Sequence, residues 1–151
     1  MKRKQWVNIL IGFPASGKTT YAEKLKSDDT VILSSDLIRK ELYGDESIQG
    51  NPKEVFDILY DRMKVNLKDG KNIVIDATNI CKRDRAEAIR IAKLYNCFVR
   101  AIEICTSIET CKKRNTNRER KVPDYVYNKM LIRYEAPTVE EGFDIIKCIR
   151  V

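Results

Sequence analysis

The eight residues Gly12-Phe13-Pro14-Ala15-Ser16-Gly17-Lys18-Thr19 fit the pattern G-x-x-x-x-G-K-[ST]. No other feature limits the fold so tightly, because the pattern works only where a strand ends and a helix begins. Its glycines let backbone N–H groups turn inward around phosphate oxygens. The helix that follows aims its positive end at the same anion. The flanks meet both conditions. Residues 5–11 (QWVNILI) are a near-continuous apolar run, as a strand buried on both faces requires, and a helix is predicted over 18–27. In such a loop the lysine, Lys18, reaches the β- and γ-phosphates, and the Thr19 hydroxyl binds Mg²⁺. The expected nucleotide-binding set is Gly12, Pro14, Ala15, Ser16, Gly17, Lys18, Thr19 and Thr20, with ATP or GTP and Mg²⁺ as cofactors.

The remaining chain alternates strands with helices. A strand is predicted over 30–33, and Ser34-Ser35-Asp36 then reads as a helix cap before Leu37, Ile38 and Leu42. Asn51 and Pro52 are an N-cap and first-position pair. Phe56, Leu59, Met63 and Leu67 keep helical spacing after them, and Gly70 closes that helix. Residues 73–75 form a third strand ending at Asp76. Helices follow at 82–95, 107–117 and 123–133, and strands at 98–104 and 143–149. This alternation predicts an α/β fold, with a sheet of about five parallel strands and helices on both faces. Ligands bind such sheets beyond the carboxyl ends of the strands, which selects 12–20, 34–39 and 76–79. One domain is expected for 151 residues without repeat or linker.

Composition excludes several chemistries. The chain has no histidine, so Ser-His-Asp and Cys-His catalysis and His-ligated metals are ruled out. Any general base is a carboxylate, lysine, tyrosine or cysteine. Lysine and arginine total 29 against 22 acidic residues, a net charge of +7 that favours anionic partners. The apolar runs are too short to span a bilayer, and the basic start lacks the apolar stretch of a secretory signal. Cys81, Cys97, Cys105, Cys111 and Cys148 contain no C-x-x-C. They suggest neither a zinc site nor a disulfide framework, and a reducing, cytoplasmic compartment is expected.

Candidate reactive residues cluster after the strands. Asp36 and Arg39 share a helix face, so both can address one ligand. A phosphotransferase acting on an alcohol needs a carboxylate to accept the hydroxyl proton. Asp36 fits that role, and Arg39 can bind a neighbouring phosphate with two bonds. A capping aspartate with a solvated arginine explains the same pair. Asp76 closes a buried strand, as a carboxylate supporting Mg²⁺ does. Thr78 and Asn79 bind phosphate or cap the next helix. Residues 111–121 hold six basic side chains in eleven. Arg114 and Arg118 lie four apart, where both can reach one triphosphate, in an expected arginine-rich lid.

The stretches GFPASGKTT (12–20), SSDLIR (34–39), IDATN (75–79), CKKRNTNR (111–118), VPDYVY (122–127) and YEAPTVEEGFDII (134–146) appear in this order. Together they resemble the polynucleotide 5′-hydroxyl kinases of phages and the kinase domain of animal polynucleotide kinase/phosphatase. The resemblance implies a P-loop fold of nucleotide-kinase type and transfer from ATP-Mg²⁺ to a 5′-hydroxyl of DNA or RNA. It implies that Lys18 and Thr19 are the loop lysine and metal hydroxyl. Asp36 would activate the hydroxyl, Arg39 contact the acceptor phosphate, and Arg118, beside Arg114, contact the donor phosphates. Thr78 joins the expected acceptor set, and Asp76 joins Thr19 at the metal. Ala15 departs from the usual glycine, and Ser35 from the phage arginine. Neither D-x-D-x-T nor K-x-D-G occurs, so phosphatase or ligase activity is expected on a separate partner. A P-loop kinase for a small alcohol or an aminoacyl-tRNA is the alternative reading.

Overall fold

The computed structural model describes residues 4–46, 48–119 and 121–150. Residues 1–3, the basic start considered above against a secretory signal, and Arg120 of the basic run lie outside the described residues, as do Ser47 and Val151. The element order is β1 (Trp6–Ile11), α1 (Lys18–Leu25), β2 (Thr30–Ser34), α2 (Ser35–Tyr43), α3 (Pro52–Lys68), β3 (Asn72–Asp76), α4 (Lys82–Leu94), β4 (Phe98–Ile104), α5 (Ile108–Thr116), α6 (Asp124–Arg133), a 3₁₀ turn (Val139–Glu141) and β5 (Ile145–Ile149).

The strands form one parallel sheet in the order β2-β3-β1-β4-β5. Val7, Ile9 and Ile11 of β1 enter a large core with Ile38 of α2, Leu59 and Met63 of α3, and Ile91 of α4. Leu10 points to the other face, against Ala22 of α1. Strand side chains alternate between faces, so helices cover both sides of β1, as its apolar run requires. The sheet order reverses at β1, between β3 and β4. That reversal opens a crevice beyond the end of β1, where residues 12–17 sit. Ser34 pairs in register with Asp76. The first turn of α2 therefore lies beside the end of β3 at the same sheet edge.

Several expectations are adjusted. α1 stops at Leu25 rather than 27, because Lys26 is extended and its N–H donates to Glu23 O. β5 begins at Ile145 rather than 143. Phe143 is instead buried in the main core. Asp144 clamps Val99 twice, donating its N–H to Val99 O and accepting Val99 N–H on its carboxylate, both at 2.8 Å. The cysteine expectation is overturned: Cys105 and Cys148 form a disulfide. They stand 43 residues apart and meet because β5 pairs with β4, a fact that spacing does not carry. The argument from cysteine usage to a reducing compartment falls with it. No described helix is long and apolar enough to cross a membrane.

The specific stretch at 134–146 turns out to be a strap around a buried arginine. Arg85 of α4 is 0% exposed. Its guanidinium donates to Asn79 O, Glu135 O and both oxygens of the Glu141 carboxylate. Thr138 and Glu141 close a capping box over the 3₁₀ turn. Burial alone would raise the Glu141 carboxyl, but hydrogen bonds from Arg85 and Thr138 outweigh it and hold the group below its ordinary value. The strap thereby fixes the loop after Asp76. Arg85→Met is expected to cost about 3–5 kcal/mol, since it strands a buried carboxylate. Denaturant unfolding checks this, and a loss under 1 kcal/mol would show that the strap carries little.

Candidate active site

The phosphate loop is held from outside by its carbonyls. Phe13 O accepts from Ser16 N at 3.1 Å and from Lys18 Nζ at 2.9 Å. Pro14 O accepts from the Tyr127 hydroxyl at 2.8 Å. Ser16 O accepts from Thr106 Oγ1 at 2.7 Å and Arg114 Nη1 at 3.2 Å. Oxygens that would repel a phosphate are thus occupied by donors of the protein itself. Gly17, at φ 107°, is the N-cap of α1, with no side chain closing the helix end and no acid in its first turn. Gly12 lies under the loop, where an added Cβ would stand 2.7 Å from Ser16 Oγ. This geometry suits an anion at the start of α1.

Ala15 carries a left-handed φ of 64°, a conformation that costs a residue with a Cβ about 1–2 kcal/mol. Glycine would relieve that strain while giving back about 0.4–1 kcal/mol of chain entropy. Ala15→Gly is therefore expected to stabilise the protein by about 0.5–1 kcal/mol, read as a rise of about 1–4 °C in Tm. A lower Tm would contradict the assignment of strain.

Beside the loop lie groups that await a counter-charge. Burial lowers the Lys18 ammonium to about 8, against the opposing pull of Asp76 and Asp36, while the Arg118 guanidinium pushes it down further. Two cations converge here, which only an anion between them would favour. Asp76 is 6% exposed, and burial pushes its carboxyl up despite a 2.9 Å hydrogen bond from the Thr19 hydroxyl. Ser16 Oγ, Arg39 Nε and Arg118 Nη1 are buried without a hydrogen-bond partner among the described residues. A nucleoside triphosphate with a divalent cation fits this donor set. The cation would be held at Thr19 and Asp76, and the phosphates at Lys18 and Arg118. Only protonated Lys18 pairs with a polyphosphate, so binding takes up a proton where free Lys18 is neutral. Nucleotide affinity is expected to fall as pH rises above about 8, by up to tenfold per pH unit. Titration calorimetry at pH 7, 8 and 9 checks this, and a flat profile would contradict it.

Asp36 is not a cap. Ser34 caps α2 by accepting from Leu37 N–H at 3.3 Å, which leaves Asp36 in the first turn. Its carboxylate pairs with Arg39 Nη1 at 2.8 Å. Asp36, Arg39, Lys18, Thr19, Thr20, Asp76, Thr78, Arg114 and Arg118 all line one cavity of about 1510 Å³, with Pro14, Ala15 and Gly17. Ser16, by contrast, is fully buried. Thr78 also ties the loop, its carbonyl accepting from Gly12 N–H at 3.0 Å. Asn79 caps no helix: Cys81 is the N-cap of α4, and Asn79, at φ 48°, donates its side chain to Leu10 O at 2.9 Å. Among the described residues, the basic run spans the end of α5 and the residues after it at 117–119 and 121. Unforeseen supports are Thr106 and Tyr127. Tyr127 stands within VPDYVY, and burial raises its phenol to about 12, which keeps it a donor to Pro14 O.

Comparison with known proteins agrees with the fold. The AAA domain family model (AAA_33) matches residues 7–137. The bifunctional polynucleotide phosphatase/kinase of Schizosaccharomyces pombe is 30% identical over 97% of the chain and 35% of that protein. The L-seryl-tRNA(Sec) kinase of Methanococcus maripaludis is 26% identical over 91% of the chain and 55% of that protein. The chain thus spans about a third to a half of the length of these relatives. Among solved structures, Chaetomium thermophilum Kti12 with ADP-AlF3 superposes with a TM-score of 0.76 at 18% identity, covering 95% of this chain and 88% of that one. The Pnkp1/Rnl/Hen1 RNA repair complex superposes at 0.74 and 20% identity, over 88% of this chain and 45% of that one. The chain therefore belongs to the AAA domain family of P-loop kinase fold, as a homologue of the fission-yeast polynucleotide phosphatase/kinase.

Proposed function

We propose that this chain transfers the γ-phosphoryl group of ATP to the 5′-hydroxyl of a polynucleotide, DNA or RNA. The observation that carries the reading is that the Asp36–Arg39 pair faces the same cavity as Lys18, Thr19, Asp76 and Arg118. A proton acceptor and a phosphate-holding site thus share one chamber. ATP-Mg²⁺ supplies the phosphoryl group and a divalent charge. Asp36 orients the acceptor hydroxyl and takes its proton as the new O–P bond forms and ADP departs. Arg39, oriented by Asp36, holds a phosphate of the acceptor. Lys18 and Arg118 neutralise the phosphoryl oxygens, and Arg114 acts from beside the loop.

The polynucleotide is favoured by the fission-yeast relative named for that substrate. The seryl-tRNA kinase relative makes an aminoacyl-tRNA alcohol the competing acceptor. A phosphatase or ligase on a separate partner completes an end-repair sequence, as the repair complex containing Pnkp1 illustrates for that protein. Lys18→Ala is expected to abolish transfer to a 5′-hydroxyl oligonucleotide with the fold retained by circular dichroism. Transfer to seryl-tRNA or a sugar, and none to oligonucleotides, would overturn the acceptor assignment.

A further inference from the structure

The cavity extends well beyond what a triphosphate occupies. Its lining carries eleven lysines and arginines against three aspartates, Asp36, Asp76 and Asp84. Lys18, Arg114 and Arg118 serve the donor phosphates. On the acceptor side, Arg39, Lys53 and Arg133 are already matched by Asp36, Asp57 and Asp84. Arg83 at the start of α4 and Lys129 on α6 also line the cavity and carry no ion pair among the described residues. The lining also holds aromatic rings, among them Tyr125, whose centroid lies 5.4 Å from Lys129 Nζ, and the pair Phe56 and Tyr60. Phe56 and Tyr60 stand one turn apart on α3, with centroids 6.1 Å apart. Each packs partly on the core, and each lines the cavity.

Cations without an ion pair and aromatic rings lining one cavity suit a nucleic acid strand, whose bases stack while its backbone meets the cations. We infer that Phe56 and Tyr60 form a stacking platform for the terminal bases of a single-stranded acceptor, whose backbone phosphates lie against Arg83 and Lys129. The inference rests on the proposed phosphotransfer and sharpens its substrate class. A free sugar has no flat π surface to lay on the rings. Tyr60 is suited to the task. Burial, then the carboxylates of Glu87, Asp84 and Asp57, push its phenol to about 12. Its ring is therefore a neutral, half-buried surface.

The test compares two 5′-hydroxyl oligonucleotides of equal length, one intact and one abasic at its two terminal positions. The wild-type chain is expected to show kcat/KM at least tenfold higher on the intact strand, since a stacked base contributes about that much or more. The difference should lie in KM. A Phe56→Leu/Tyr60→Leu double variant keeps apolar bulk but loses the rings, and is expected to treat both strands alike. Equal kcat/KM on the wild type overturns the platform, whatever the variant's stability. Binding of a strand with 2-aminopurine at its 5′ end gives a second reading, because stacking quenches that base. Quenching without transfer to any strand upholds the platform and refutes the phosphotransfer. Absence of quenching on saturable binding, or no binding at all, overturns the platform itself.

Discussion

Asp36→Asn is expected to lower kcat for 5′-phosphorylation by about a hundredfold to ten-thousandfold, the range lost with a general base. Asparagine keeps the size of the side chain and an oxygen for Arg39 Nη1, now 2.8 Å from Asp36 Oδ1, but it cannot take the hydroxyl proton. Nucleotide affinity should change by no more than about twofold, since the donor phosphates are assigned to Lys18 and Arg118. No histidine exists to replace the lost carboxylate. Asp76 is the other carboxylate near the loop, and it is engaged by the Thr19 hydroxyl. A variant with unchanged kcat would mean that the hydroxyl is activated elsewhere. Rate measurements under saturating ATP and acceptor decide between these outcomes.

Arg118→Ala is expected to reduce kcat by about a thousandfold or more, the scale lost with an arginine over a transferring phosphoryl group. Its Nη1 is buried without a partner among the described residues, and its charge bears on Lys18. Both observations describe a guanidinium placed for an anion. Arg118→Lys should recover only part of the loss, because lysine lacks the planar fork. Arg114→Ala should cost less. Arg114 donates to Ser16 O, so it shapes the loop as much as it meets the phosphates. Equal losses at Arg114 and Arg118 would contradict this division. Single-turnover rates with preformed complex isolate the chemical step and check it.

The convergence of three loops on one cavity was legible in the sequence because each stands at the end of a strand. Lys18, Asp36 and Asp76 follow β1, β2 and β3, and parallel strands bring their carboxyl ends to one edge. Periodicity and caps located α1 and α3 to α6 to within about two residues, since apolar spacing and caps such as Asn51-Pro52 are local signals. What stayed hidden depends on long-range pairing. Arg85 reads as one more surface charge on α4, and its partners Glu135 and Glu141 lie 50 and 56 residues away. The Cys105–Cys148 bridge likewise needs the β4–β5 register. Phe56 illustrates a different limit. Helical spacing placed it on the apolar face of α3, and it does pack on the core, yet part of it also lines the cavity. Spacing alone does not separate these two uses of one ring.

The central claim is tested most directly by incubating the wild-type chain with γ-labelled ATP, Mg²⁺ and a 5′-hydroxyl oligonucleotide, as DNA and as RNA. Label is expected on the 5′ end of at least one strand, at a rate that collapses in Asp36→Asn. Label transferred to seryl-tRNA or a sugar alone, or ATP hydrolysis that no acceptor captures, would contradict it.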